Sequence, residues 1–437
     1  MMNAQPSPRR RPQLHRRDFL HVGSAGLLGL SLANGLRQEA CADSEAVSPK
    51  VKNVIMIFLT GGPATIDMWD MKPAASESVR GEFQPRTTSV PGIQICEHLP
   101  NLASQMHRVS LVRSVTHSIP EHTQGAAYVM TGNRPSPAFE YPSLGSLSAS
   151  LLKSNQGVPA YMSVGSPPSL GAGELGTSLN PFEFSMSDPQ AGTAATSGIG
   201  LPAGFSVADL ERRQRVLERI DRPMRAFDAS PLPRQLGRFQ GEALDVLRSD
   251  RINKALQLED ESDEQRKKYG GGFFGRSTLA ARRLIEAGAR FVTIGFGDWD
   301  THLNNFTRLR TSLLPQLDLA LGSLIDDLHD RGLLDETIVY CTGEFGRTPD
   351  VNAAAGRDHW SRTMTALLAG GGFRQGFVYG ATDPSGSDPV ESPCSPDDLG
   401  ASIFHQLGFL PTQTVLTQSG RPVPLFRNGQ ALHELIG

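Results

Sequence analysis

Apolar residues fall along this chain in two kinds of pattern. Val51-Lys52-Asn53-Val54-Ile55-Met56-Ile57-Phe58-Leu59 is an almost continuous apolar run, closed by Thr60-Gly61-Gly62-Pro63. Such a run bounded by a turn predicts a strand buried on both faces, a central strand of a parallel sheet. The stretches 290–296, 337–341 and 364–369 repeat the theme. Between them the spacing becomes helical. Leu317, Leu321, Leu324, Ile325 and Leu328 form one stripe stopped by Gly332, and Ser277 to Ala287 reads as a helix capped by Ser277 and closed by Gly288. Strand, helix, strand predicts an α/β fold whose mostly parallel sheet carries helices on both faces and holds ligands at the strands' carboxyl ends.

Elsewhere the periodicity weakens. Residues 150 to 204 are rich in Gly, Ser, Pro and Ala, which predicts long loops or an insertion at the sheet edge. Residues 206 to 269 are charged and helical in pattern, with Val207, Leu210, Val216, Leu217 and Ile220 on one face. The whole 150–270 region is thus a loop-rich and helical insertion. Its acidic run, Glu259 to Glu264, reads as a solvated turn.

The first forty residues follow different rules. Arg9, Arg10 and Arg11 open a basic stretch, Arg16-Arg17 is followed by Asp18-Phe19-Leu20, and Val22 to Leu36 is mildly apolar but broken by glycine. This resembles a twin-arginine export signal. The apolar run is shorter than the roughly twenty residues needed to cross a bilayer. Ala40-Cys41-Ala42 has the form of a cleavage site, so residues 1–42 read as the signal and the domain proper as 50–437. A periplasmic or extracellular location follows, with no stable membrane span after the signal is removed.

Composition changes this picture little. The chain has 437 residues, 38% of them hydrophobic, enough for one large core, and its formal net charge of −3 offers no general attraction to nucleic acid. With Cys41 at the signal's edge, Cys96, Cys341 and Cys394 allow at most one intramolecular disulfide. The sequence leaves the oligomeric state open.

The candidate chemistry lies beside the tryptophans. All three sit within two residues of an acid, in Asp67-Met68-Trp69-Asp70, Asp298-Trp299-Asp300-Thr301-His302 and Arg357-Asp358-His359-Trp360, and Glu344 follows a predicted strand. Carboxylates and imidazoles are the ligands that borderline cations such as zinc take, and hard cations such as magnesium or calcium accept carboxylates alone. In an extended segment Asp300 and His302 point the same way and can reach one ion, and Asp298 with His302 would do so on a helix. The alternative for Asp67 is a turn cap, and for Asp358 and His359 a loop anchor. Arg347, three residues after Glu344, is suited to gripping an anionic ester oxygen or to neutralising Glu344.

Phe58-Leu59-Thr60-Gly61-Gly62-Pro63 with Asp67, Ala280-x-Arg282-Arg283-Leu284, Trp299-Asp300-Thr301-His302, Glu344-Phe345-Gly346-Arg347-Thr348, Gly356-Arg357-Asp358-His359-Trp360 and Ala369-Gly370-Gly371-Gly372 together resemble the bacterial domain of unknown function 1501 family. That family belongs to the alkaline phosphatase-like superfamily, with sulfatases, phosphodiesterases and phosphoglycerate mutases. The resemblance implies a three-layer fold with one or two divalent ions at the strand ends: zinc, calcium, magnesium or manganese. It implies Asp67, Asp300, His302, Glu344, Asp358 and His359 as metal residues, with Glu344 standing where relatives carry an Asp-His pair. The hydroxyl in the nucleophile's place is Thr123, beside His122, and the same threonine also suits a helix N-cap. His117 and His122 are further candidates for metal or substrate. The implied activity is hydrolysis of phosphate or sulfate esters, small-molecule or polysaccharide. The alternative is a non-catalytic exported protein that keeps the fold and a structural metal.

Overall fold

The structure, a computed structural model, describes residues 51–165, 167–168, 171–186, 196–197, 212 and 249–437. Residues 1–42, expected to be an export signal and including Cys41, and the stripe from Val207 to Ile220 lie outside the described residues. Nine strands form the main sheet: β1 (Asn53–Leu59), β2 (Val109–Val115), β3 (Tyr161–Val164), β4 (Phe182–Met186), β5 (Thr196–Ser197), β6 (Phe291–Phe296), β7 (Thr337–Thr342), β8 (Met364–Ala369) and β9 (Phe377–Tyr379). Their spatial order is β9-β2-β8-β7-β1-β6-β3-β4-β5. β1 is central and pairs in parallel with β6 and β7. Only β8 and β5 oppose the common direction.

Every residue of β1 is buried. Ile55, Ile57 and Leu59 enter one apolar cluster, while Val54, Met56 and Phe58 enter another on the opposite face. That alternation is why the run is apolar throughout rather than at every second position. On the first face lie α1 (Pro100–Gln105), α4 (Asp250–Leu256), α5 (Phe273–Ala287) and α6 (Leu314–Asp330); on the second lie α2 (His122–Thr131), α3 (Leu144–Leu151) and α7 (Pro396–Gln406). The molecule is a three-layer α/β fold with a mostly parallel sheet.

The differences from the sequence reading have local causes. Met364–Ala369 is a buried strand but runs antiparallel to β7, a direction that an apolar run does not encode. Helix α5 begins at Phe273 after the Gly272 cap, and Ser277 is buried within it rather than capping it. Its end at Gly288, in the left-handed region, is as expected. The acidic run is less solvated than expected, because Glu261 pairs with Arg282 and Arg283 and Ser262 caps the following helix. Cys96, Cys341 and Cys394 are buried free thiols. Among the described residues no helix is long and apolar enough to cross a membrane.

Candidate metal centre

Four strand ends meet at one edge of the sheet. The carboxyl ends of β2, β6 and β7 lead to His122, to Asp300 with His302, and to Glu344, and the reversed β8 is entered from the segment carrying His359. A two-residue antiparallel ribbon, Gly346–Arg347 against His359–Trp360, brings the last two segments together. The sharp turn after β1 passes over Asp300, so close that a Cβ on Gly61, with φ of +118°, would sit 2.4 Å from the Asp300 amide nitrogen. Glycine is therefore required there.

Three imidazoles surround Asp300. One ligand atom each from His122, Asp300 and His359 lie within 4.8 Å of one another. The His302 Nε2 is 3.1 Å from Asp300 Oδ1 and 2.9 Å from the His359 Nε2. His359 Nε2 is 3.3 Å and His122 Nε2 3.6 Å from Asp300 oxygens. These side chains are part exposed. A ligand can therefore reach them.

The opposite nitrogen of each ring is fixed from behind. His122 Nδ1 lies 2.7 Å from Glu344 Oε1, His302 Nδ1 2.6 Å from Asp358 Oδ1, and His359 Nδ1 2.9 Å from the Pro120 carbonyl. A carbonyl only accepts hydrogen bonds, and so does an ionised carboxylate, so each Nδ1 carries a proton and a neutral ring keeps its lone pair on Nε2. Two such lone pairs then face each other across the 2.9 Å between His302 and His359. That contact repels unless a proton or a metal cation lies between them.

The charges are arranged to match. Burial would raise the Asp300 carboxyl, but the hydrogen bond and charge of Arg347 hold it below its ordinary range. The His302 hydrogen bond likewise lowers Asp358. The hydrogen bond that His122 donates to Glu344, opposed by burial and reinforced by the carboxylate's charge, raises His122. Glu344 is itself almost fully buried; its Oε1 also accepts the Gly61 N–H at 2.8 Å, and its Oε2 has no partner among the described residues.

Asp300 and His302 come together as their spacing anticipated, and His359 and His122 join them. Of the two acids flanking Trp299, Asp300 reaches the cluster, whereas the Asp298 carbonyl is held by Arg308. Glu344 and Asp358 stand one step back, orienting rings, where the sequence reading made them ligands. Asp67 is displaced furthest. It is buried and accepts from Arg357 through both oxygens at 2.7 Å and from Asn305 at 2.8 Å. Arg347, expected to grip substrate, is buried instead. It donates to the Gly61, Gly62 and Arg357 carbonyls and to Asp300, so its fork is committed to backbone and to that carboxylate. Thr123 is exposed in the first turn of α2, where the capping side chain is Glu121, which accepts from the Thr123 and Gln124 amides at 2.9 Å. His117 uses both ring nitrogens on backbone, the Glu344 carbonyl and the Ile119 amide. Sequence reasoning missed the Pro120 carbonyl, which no side-chain pattern reveals. It also missed Arg134, whose one signal is its place just after the Thr131-Gly132 turn that ends α2.

Beside the cluster opens a cavity of about 870 Å³, lined by His359, His117, Tyr128, Arg134 and Trp360 among others.

A family model described as a protein of unknown function (DUF1501) matches residues 51–436. No curated protein matches the chain. Among solved structures, a 2-O GAG sulfatase aligns at 11% identity with a TM-score of 0.41, covering 88% of this chain and 74% of that one. The PsFucS1 sulfatase from Pseudoalteromonas sp. aligns at 11% identity and a TM-score of 0.41, over 93% and 75%. The alkaline phosphatase of the Antarctic bacterium TAB5 aligns at 10% identity and 0.36, over 83% and 98%.

Proposed function

The chain belongs to that family of unknown function, and we propose that it is an exported metal-dependent hydrolase of phosphate or sulfate esters. The observation that carries this reading is the orientation of the three imidazoles, each fixed through Nδ1 and each turning Nε2 toward Asp300. This is the donor set of a cation site, with ring orientation set by carboxylate and carbonyl partners as in known metal centres. His122, His302, His359 and Asp300 would hold the ion. A set dominated by nitrogen suits zinc better than calcium, magnesium or manganese, which prefer oxygen.

When bound, a divalent ion supplies Lewis acidity toward an ester oxygen and lowers the pKa of a hydroxyl or water. The chain's own residues supply the framework. Glu344 and Asp358 fix the imidazoles, Arg347 fixes Asp300, and the partial exposure of the cluster admits an ester. Thr123, next to His122 and exposed, is the proposed nucleophile. The twin-arginine leader supports export.

The test is to purify the mature chain, measure its bound metal, and screen aryl phosphates, phosphodiesters and sulfates with and without chelator. Chelator-sensitive turnover is expected. Metal bound without turnover of any ester would instead favour a non-catalytic protein, and hydrolysis that survives Thr123→Ala would remove Thr123 as nucleophile.

A further inference from the structure

The cavity beside His359 is far larger than a single sulfate or phosphate group, and falls in the range that holds whole small ligands. Its charged lining can be accounted for group by group. Arg362 is neutralised by Asp388, whose Oδ1 takes its Nε at 2.6 Å. His117 has both nitrogens on backbone atoms, and the Tyr128 hydroxyl donates to Asp397. His359 is turned toward Asp300.

Arg134 is what remains. Its guanidinium donates to Ser118 Oγ at 2.9 Å, and among the described residues no carboxylate lies within ion-pair distance of it. An arginine at the mouth of a cavity with no acidic partner leaves most of its planar donor fork for a ligand.

The backbone that presents Arg134 is rigid. Gly132 ends α2 in the left-handed region, and a Cβ there would meet the Phe426 ring at 2.6 Å. Asn133, buried, donates to the Leu425 carbonyl at 2.9 Å and accepts the Arg427 amide at 3.0 Å. The cation is thus delivered from a turn locked to the C-terminal segment, as a recognition group must be.

We infer that Arg134 is a specificity-determining residue that binds a second anionic group of the substrate, carried on the part of the ester that fills the cavity beside His359. The preferred substrate is accordingly an ester whose leaving group bears its own carboxylate, sulfate or phosphate. The inference rests on the metal-hydrolase reading of the neighbouring cluster, but its binding arm can be measured without it.

The test compares phenyl phosphate with 4-carboxyphenyl phosphate, and the two corresponding sulfates, on the full mature chain. Calorimetry on chelator-treated protein gives the binding preference, and turnover by zinc-loaded protein gives the ratio of kcat/KM. The carboxylated member of a pair should be favoured about tenfold, mostly in Kd and KM, the size of one charge-assisted contact. Arg134→Ala should bring the ratio toward one, and Arg134→Lys should restore part of it. Zinc stoichiometry equal to wild type shows that the variants are folded. No preference in the wild type, no binding of either probe, or a full preference surviving in Arg134→Ala would each overturn the inference. Turnover absent with the binding preference present would sink the hydrolase reading alone.

Discussion

Replacing Asp67 separates stability from metal binding. Its carboxylate is 2% exposed and the Arg357 side chain is fully buried, so the pair is held out of water. Arg357 Nε and Nη2 each reach an Asp67 oxygen at 2.7 Å, and Asn305 Nδ2 adds a third contact at 2.8 Å. Asp67→Ala strands a buried cation whose remaining partners are carbonyls of Val79, Thr348 and Pro349. Breaking a buried pair on one side costs about 3–5 kcal/mol. Unit charges 4 Å apart at an effective dielectric near 20 interact by about 4 kcal/mol, which agrees. With an unfolding entropy of about 2.1 cal/mol/K per residue, over the unit Ser48–Gly437, each kcal/mol is worth roughly 1 °C, so the midpoint should fall by roughly 5 °C. Thermal unfolding with chelator present measures this, and zinc titration at a temperature where both proteins are folded measures affinity. The isosteric Asp67→Asn, which removes the charge, should show the same split to a smaller degree. Asp300→Asn should lose zinc affinity as well as lower the midpoint, because Asp300 is the carboxylate paired with the buried Arg347. An Asp67→Asn protein that unfolds like wild type but binds zinc more than tenfold weaker would refute this reasoning, because Asp67 would then be a ligand.

Two further outcomes follow from the geometry. Glu344→Gln removes the charge behind His122 and should weaken zinc 10- to 100-fold, as loss of outer-shell partners does, measured by competition with a chromophoric chelator; affinity within twofold of wild type would show that Glu344 does not position the ring. Zinc affinity should also depend on pH in a defined direction. Glu344 raises His122 above the ordinary histidine value of 6.5, and the protonated ring cannot bind a cation, so affinity is complete above that raised value and falls as pH drops through it. The fall should begin above pH 6.5 in the wild type and move lower in Glu344→Gln; a flat profile between pH 8 and 6 would exclude His122 as a ligand.

Much of the framework was legible because burial on two faces leaves a plain mark. β1, β6 and β7 are unbroken apolar runs. β2 escaped notice because Ser110, Arg113 and Ser114 interrupt it, and each is satisfied by partners far along the chain. The Asp-x-His spacing anticipated that Asp300 and His302 meet, and their side chains lie 3.1 Å apart. What spacing could not convey is which acid faces the cluster and which stands behind an imidazole. Glu344 and Asp358 have the same chemistry as Asp300, and only the approach of His122 and His302 from remote segments sets them apart. Arg347 misled for the same reason: an arginine near acids reads as a substrate clamp until its donors are found on buried carbonyls and a carboxylate.

The glycine turn after β1 joins partners that the ribosome makes far apart in time. Gly61 gives its amide to Glu344 and its carbonyl to Arg347, while the same turn crosses the Asp300 amide. Pairings this distant in sequence close late in folding, after large loops have been ordered. A nascent chain halted before His359 would hold every strand that flanks β1 and still lack the imidazole that completes the cluster. On the proposed reading, cation capture needs the finished polypeptide, and C-terminal truncation should abolish it even where the early half of the sheet survives.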